Sequence, residues 1–393
     1  MPRCAAIYFQ TTEGRQSATI LLPGYLGSAL RDVQTGRRIY MNLARVALKP
    51  SVLALYHSEL GTPTGPEVEA DGILRDVKVI PGLFSVDVYA TLIRKLESLP
   101  DHRVFTVGYD WRYGPYSAVQ MLGAAVDRLR SQGIHQIDIV AHSSGGTVAA
   151  YYLGYGTQAP ESAVLDWSGA QNIRKAAMLG TPFRGGFIMF RNLIRGISLP
   201  VIWRLFPREA VASYPSNYHL LPFGPIRLYN WTGLPWTISA FDPEFWITWN
   251  LGLMANRDLP EAIRSNRAAF IHDQLASAKR FGERLQFSET PRTPNPPTRI
   301  FNVIGNGTPT EDSAYYKASG SELNFVFSSD GPNRFALPES KLLKDGDKNV
   351  TVESATLPGR LKPLAETRLV HVGHERLVTE PRVQDMVLEF LAR

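Results

Sequence analysis

Residues Ile137-Asp138-Ile139-Val140-Ala141-His142-Ser143-Ser144-Gly145-Gly146 constrain the fold of this chain more than any other stretch. A β-branched run ends in a serine with a small residue two positions before it, Ala141, and a glycine two positions after it, Gly145. Helix-compatible residues follow at once, from Thr147 through Leu153. A strand that passes straight into a helix through a serine makes a sharp, strained turn and holds the hydroxyl exposed above a parallel sheet. The flanking residues must be small, because larger side chains would collide with the adjacent strands. Ala141 stands where glycine is commoner, a tolerable departure. The small-x-Ser-x-Gly pattern has little weight alone; the strand before it and the helix after it give it meaning.

At 393 residues the chain exceeds the usual domain size, so two domains or one large domain with insertions are expected. Strand-like and helix-like segments alternate, which predicts an α/β fold with a mostly parallel sheet covered on both faces. Strands are expected at 19–22, 103–107, 137–142, 173–179, 299–304 and 368–372. Helices are expected at 86–98, with Val86, Tyr89, Leu92, Ile93 and Leu96 on one face, at 116–131, and at 383–392. Residues 35–80 are turn-rich and read as an excursion over the sheet. Residues 186–290 carry five of the seven tryptophans (Trp203, Trp231, Trp236, Trp246, Trp249) and read as an inserted cap. The division is therefore core 1–185, cap 186–290 and core 291–393. The proline-rich 291–297 forms a stiff linker back to the core.

Composition excludes several classes. The formal charge of +6 favours mild attraction to anionic surfaces, but no Lys/Arg run or nucleic-acid motif is present, so no nucleic-acid partner is expected. Cys4 is the only cysteine, so no internal disulfide can form. No signal peptide and no membrane-spanning run are read, and a cytoplasmic chain is expected. The sequons at Asn230, Asn306 and Asn349 are then coincidences. Gly305-Asn306-Gly307 lacks the third glycine of a dinucleotide loop, so no cofactor is expected. The loop from Asp345 starts like a calcium-binding loop, but Val350 and Thr356 stand where glycine and glutamate are needed, so no metal is expected.

A serine hydroxyl needs a base beside it, and the base needs an orienting carboxylate. With a nucleophile on such a turn the chain order is serine, acid, histidine. Only His371 and His374 lie in the last quarter. His374 follows Gly373 beyond a strand and can reach the sheet edge, whereas His371 lies within the strand and faces packing. His374 is the expected base. For the acid, Glu311, Asp312, Asp345 and Asp347 all remain open. Acyl transfer also needs amide donors for the developing oxyanion. Ser144 supplies one by position, and the loop Pro23-Gly24-Tyr25-Leu26-Gly27-Ser28 is placed to supply the second.

Taken together, the pieces resemble the lecithin:cholesterol acyltransferase family of the α/β-hydrolases, which includes lysosomal phospholipases. They are Pro23–Ser28, Tyr109-Asp110-Trp111-Arg112, Ala141–Gly146, Leu179-Gly180-Thr181-Pro182-Phe183-Arg184-Gly185-Gly186, Asp345-Gly346-Asp347 and Gly373-His374, in that order. The resemblance implies Ser143 as nucleophile, His374 as base, Asp347 as acid and Tyr25 as the early oxyanion amide. Where the family loop reads Gly-Asp-Gly-Thr-Val, this chain has Gly346-Asp347-Lys348-Asn349-Val350. The implied function is acyl-lipid esterase or acyltransferase activity through an acylated Ser143, on a glycerophospholipid or similar ester. The basic charge balance and the tryptophans of 186–290 add the expectation of a membrane surface as a peripheral partner. A non-lipid serine hydrolase and a non-catalytic lipid-binding protein are the competing readings.

Overall fold

The computed structural model describes residues 17–40, 53, 55, 58–61, 66–80, 84–199, 202–293, 296, 298–320, 322–330 and 338–393. Cys4 and the rest of residues 1–16 lie outside the described residues. Six strands form the central sheet: β1 (Ser17–Leu22), β2 (His102–Thr106), β3 (Gln136–His142), β4 (Lys175–Leu179), β5 (Arg299–Gly305) and β6 (Ala365–Val370). Their order is β2-β1-β3-β4-β5-β6, and every neighbouring pair is parallel.

Strands β1, β4 and nearly all of β3 and β5 are buried along their length, as expected of a parallel sheet covered on both faces. The covers are helices. On one face α2 (Pro115–Ser131) and α3 (Ser144–Tyr155) pack on Ile20, Ile139 and Ala141. On the other, α1 (Ala90–Glu97) and the terminal helix Pro381–Ala392 pack on Leu21, Val140 and Val303. The chain steps from β1 outward to β2, then crosses back to β3 on the other side of β1. That reversal opens a crevice at the carboxyl ends of β1 and β3, where ligands of open α/β sheets bind. This is the α/β-hydrolase architecture expected from the sequence.

Two boundaries differ from expectation. Val86 belongs to the strand Phe84–Asp87 and is 45% exposed. The helix starts later because the Asp87 carboxylate accepts from the Thr91 amide at 3.3 Å and closes its first turn. At the other end of the chain, β6 stops at Val370, so His371 is outside the strand and exposed rather than packed. Within 35–80, the strand Val68–Ile73 pairs antiparallel with Ser28–Asp32, which also pairs with Arg38–Tyr40.

The region expected to be a cap shares its apolar core with a second part of the chain. Residues 186–290 supply a helix, Phe187–Arg195, the hairpin Pro225–Asn230 and Pro235–Ser239, and the long helix Glu261–Leu285. The hairpin's sheet is completed by Ala314–Ser319 and Glu322–Val326, both beyond the linker. Leu323 and Phe325 are buried while Glu322 and Asn324 are exposed. Such a one-sided strand must bury its apolar face, and Phe190, Trp246, Ile226 and Leu275 cover it in a second apolar core. Among the described residues no helix is long and apolar enough to cross a membrane.

Candidate active site

Ser143 joins β3 to α3 with φ 52° and ψ −127°, a conformation a non-glycine residue adopts only under constraint from its surroundings. Its amide donates to Leu179 O at 2.8 Å, which pins the turn to the end of β4. A Cβ on Gly145 would lie 2.5 Å from Pro23 O and 2.9 Å from Leu22 O, so the position two after the serine admits nothing larger. Ala141, two before it, is completely buried.

His374 Nε2 lies 2.8 Å from Ser143 Oγ, and its Nδ1 lies 2.7 Å from Asp347 Oδ2. Asp347 is completely buried; its other oxygen accepts from the amides of Asn349 (3.1 Å) and Val350 (2.7 Å). The two loops are tied again through the backbone, where the His374 amide donates to Asp347 O at 2.9 Å. An ionised carboxylate only accepts, so Nδ1 carries the proton and Nε2 presents a lone pair to the serine hydroxyl. Burial works to lower the pKa of His374. The charge of Asp347, its hydrogen bond and Glu375 outweigh that and hold it above the ordinary 6.5.

The other acids are engaged elsewhere. Asp345 accepts from the Gly307 amide at 2.6 Å, Asp312 pairs with Lys344 at 2.8 Å, and Glu311 pairs with Arg191 at 2.6 Å. Of the four candidates, only Asp347 hydrogen-bonds His374.

Two residues beside the site had no assigned role in the sequence. The Gly24 amide donates to Tyr89 Oη (2.9 Å), and the Tyr89 hydroxyl lies 2.9 Å from His142 Nδ1. His142 Nε2 lies 3.2 Å from the His374 carbonyl. One tautomer satisfies the whole line: Tyr89 O–H donates to Nδ1, and Nε2–H donates to the carbonyl. Burial, then the neighbouring His374, lowers the His142 pKa to about 3, so the ring is neutral in this role. The line joins the loop after β1 to the backbone of the histidine loop. The only sequence signal was the place of His142 next to Ser143.

The loop after β1 abuts the serine; a Cβ on Gly24 would come 2.8 Å from Ser143 Cβ. With the Gly24 amide committed to Tyr89, the Tyr25 amide is left without a hydrogen-bond partner among the described residues. Ser144 opens α3, where the first amides have no partner inside the helix. The motif 109–112 braces this loop: Tyr109 donates to Pro23 O (2.7 Å), and Trp111 donates to Ser28 O (3.2 Å). Tyr25, Ser144, Tyr109, Trp111 and Leu220 line a crevice of about 20 Å³. Among the described residues no cluster of His, Cys, Asp and Glu could hold a metal ion.

A parallel sheet with a strained serine at the β3–α3 turn and a histidine–carboxylate pair beside it is the architecture of the α/β-hydrolase fold. Residues 74–240, which include Ser143, match the family model of lecithin:cholesterol acyltransferase. That match bears out the family resemblance. An uncharacterised Saccharomyces cerevisiae protein, YJR098C, is 26% identical over 253 residues, 62% of this chain. The match takes in 35% of the yeast protein, so the chain spans about a third of that relative's length. Among solved structures, the Tle4-Tli4 complex is similar in fold, with TM-score 0.58 and 14% identity over 95% of this chain and 97% of the other. The Bacillus licheniformis lipase BlEst2 in its mature form aligns at TM-score 0.40 and 12% identity, over 97% and 94% of the two chains.

Proposed function

We propose that the protein is a serine-dependent esterase or acyltransferase of acyl lipids, with Ser143, His374 and Asp347 as its catalytic triad. The observation that supports this is the unbroken hydrogen-bond line from Ser143 Oγ through the His374 ring to a buried Asp347. Ser143 Oγ attacks the ester carbonyl as its proton passes to His374 Nε2. Asp347 stabilises the resulting imidazolium. The carbonyl oxygen, now negative, is held by the amides of Tyr25 and Ser144. Collapse expels the alcohol, which takes the proton from His374 and leaves an acyl ester on Ser143. Water or a second alcohol, deprotonated by His374, then takes the acyl group, and His374 returns the proton to the departing Ser143 Oγ. A binding module would gain nothing from a base held against a strained serine.

A small-ester hydrolase is the second reading. It is favoured by the crevice beside Ser144, whose 20 Å³ holds little more than one water. The two readings separate in one experiment, turnover of a phospholipid and of a series of esters of increasing acyl length, with Ser143→Ala as control. Release of a long acyl chain from phospholipid, abolished in the variant, supports the lipid reading. Turnover confined to short soluble esters supports the second.

A further inference from the structure

The structure separates the cap tryptophans by environment. Trp246 is buried in the cap core, its indole N–H donating to Ala240 O at 2.8 Å. Trp236 and Trp249 are half-buried and meet edge to face at 6.1 Å, and Trp236 also packs on Tyr316 at 5.3 Å. Trp231 is different. It stands 59% exposed at the tip of the hairpin formed by Pro225–Asn230 and Pro235–Ser239, with Leu234 beside it at 64%. The other large exposed apolar side chains described, Val86, Tyr113 and Leu369, lie far away in sequence.

The tip is rigid. Asn230 Oδ1 accepts from the amides of Thr232 (3.0 Å) and Leu234 (2.9 Å) and from the Thr232 hydroxyl (2.7 Å). The strands close over it through Asn230 N to Leu234 O at 2.9 Å. Its composition is also unusual for a surface. From Leu228 to Phe241 there is not one charged residue, in a chain that is 20% charged. Arg227 precedes that run and Asp242 follows it, and exposed Lys317 stands on the neighbouring strand, one residue past the Asn230–Tyr316 pairing.

We propose that this tip is a membrane-docking element, with Trp231 and Leu234 entering the headgroup–acyl boundary of a phospholipid bilayer and Lys317 meeting anionic headgroups; the proposal rests on the lipid reading above. Indole rings favour that boundary, and a basic side chain beside them adds attraction to anionic lipid. A second copy of the chain is the poorer occupant. A stable protein interface buries about 800 Å² on each partner, whereas one large aromatic side chain buries about 150–250 Å².

The test is co-sedimentation of Ser143→Ala protein with vesicles of phosphatidylcholine and phosphatidylglycerol, with and without the added pair Trp231→Ser and Leu234→Ser. Using Ser143→Ala removes turnover from the measurement. The added pair is expected to weaken partitioning by about tenfold or more, whereas Leu369→Ser leaves it unchanged. In an otherwise native chain, the pair keeps its turnover of a short soluble ester, which shows that the fold survives. Equal vesicle binding with and without the pair overturns the proposal, as does absence of binding by the Ser143→Ala protein. A drop in molar mass caused by the pair, seen by light scattering, also overturns it, because the tip is then a contact between copies. If the protein binds vesicles through the tip but cleaves no phospholipid, the lipid reading of the site falls and the docking element stands.

Discussion

At the carboxyl rim of the sheet, three loops meet through hydrogen bonds of 2.7–2.8 Å between groups whose direction matters. In the cap, the contacts are ring on ring and apolar on apolar: Phe190 against Trp246 at 5.5 Å, Trp236 against Phe245 at 5.7 Å. Moving a proton needs donors and acceptors aligned to a few tenths of an ångström, and few residue types at few positions can provide that. Filling a volume needs only the right bulk, which many sequences provide. On the proposed function, the rim carries the chemistry and the second apolar core carries shape and surface.

Substitutions should separate the two regions. The largest effect is expected for Asp347→Asn, which removes the carboxylate that fixes the His374 tautomer. The turnover number should fall by about 10⁴-fold, as in other serine triads. Asp345→Asn and Asp312→Asn should change it little, since each serves its own turn or ion pair. The reverse ranking would transfer the acid role. In the cap, Trp246→Ala should cost about 3–5 kcal/mol in stability. Denaturant melts measure that, and turnover of a soluble ester per folded molecule should hardly change. A collapse of turnover in folded protein would mean that the regions are not separable.

Tyr89→Phe tests the line behind the rim. It strands the Gly24 amide and His142 Nδ1, and unmet buried partners cost about 1–3 kcal/mol. Turnover should fall with little change in KM, because the line holds the oxyanion loop against the histidine loop. An unchanged turnover number would reduce Tyr89 to packing. The smallest effect is at Lys348, which has φ 86° where the family loop has glycine. A left-handed conformation costs an L side chain roughly 1–2 kcal/mol, and glycine's greater freedom when unfolded returns part of that. Lys348→Gly should stabilise the fold by about 0.5 kcal/mol in denaturant melts without altering turnover.

The same contrast explains what the sequence revealed. Ser143, His374 and the parallel sheet were legible because a strained turn demands small flanks at set spacing and because chain order restricts the base. Asp347 was chosen only through the family loop; from the residues alone, four acids were equal until partners divided them. The Tyr89–His142 line was hidden because a contact across a separation of 53 residues leaves no local pattern. The helix Glu261–Leu285 went unread because its inner stripe is narrow and opens with Arg267, a buried guanidinium donating to Leu60 O. The second entry into the cap, at 314–326, was hidden because its cover comes from residues far away in the chain.

The most direct test of the rim is the rate at which a fluorophosphonate labels the native protein as a function of pH, with the labelled residue located by mass spectrometry. The account predicts a single adduct on Ser143. The rate should fall as pH drops through a pKa above 6.5, because a protonated His374 cannot take the serine proton. No adduct on Ser143, or a rate that stays flat down to about pH 4, well below the reference histidine pKa, would contradict it.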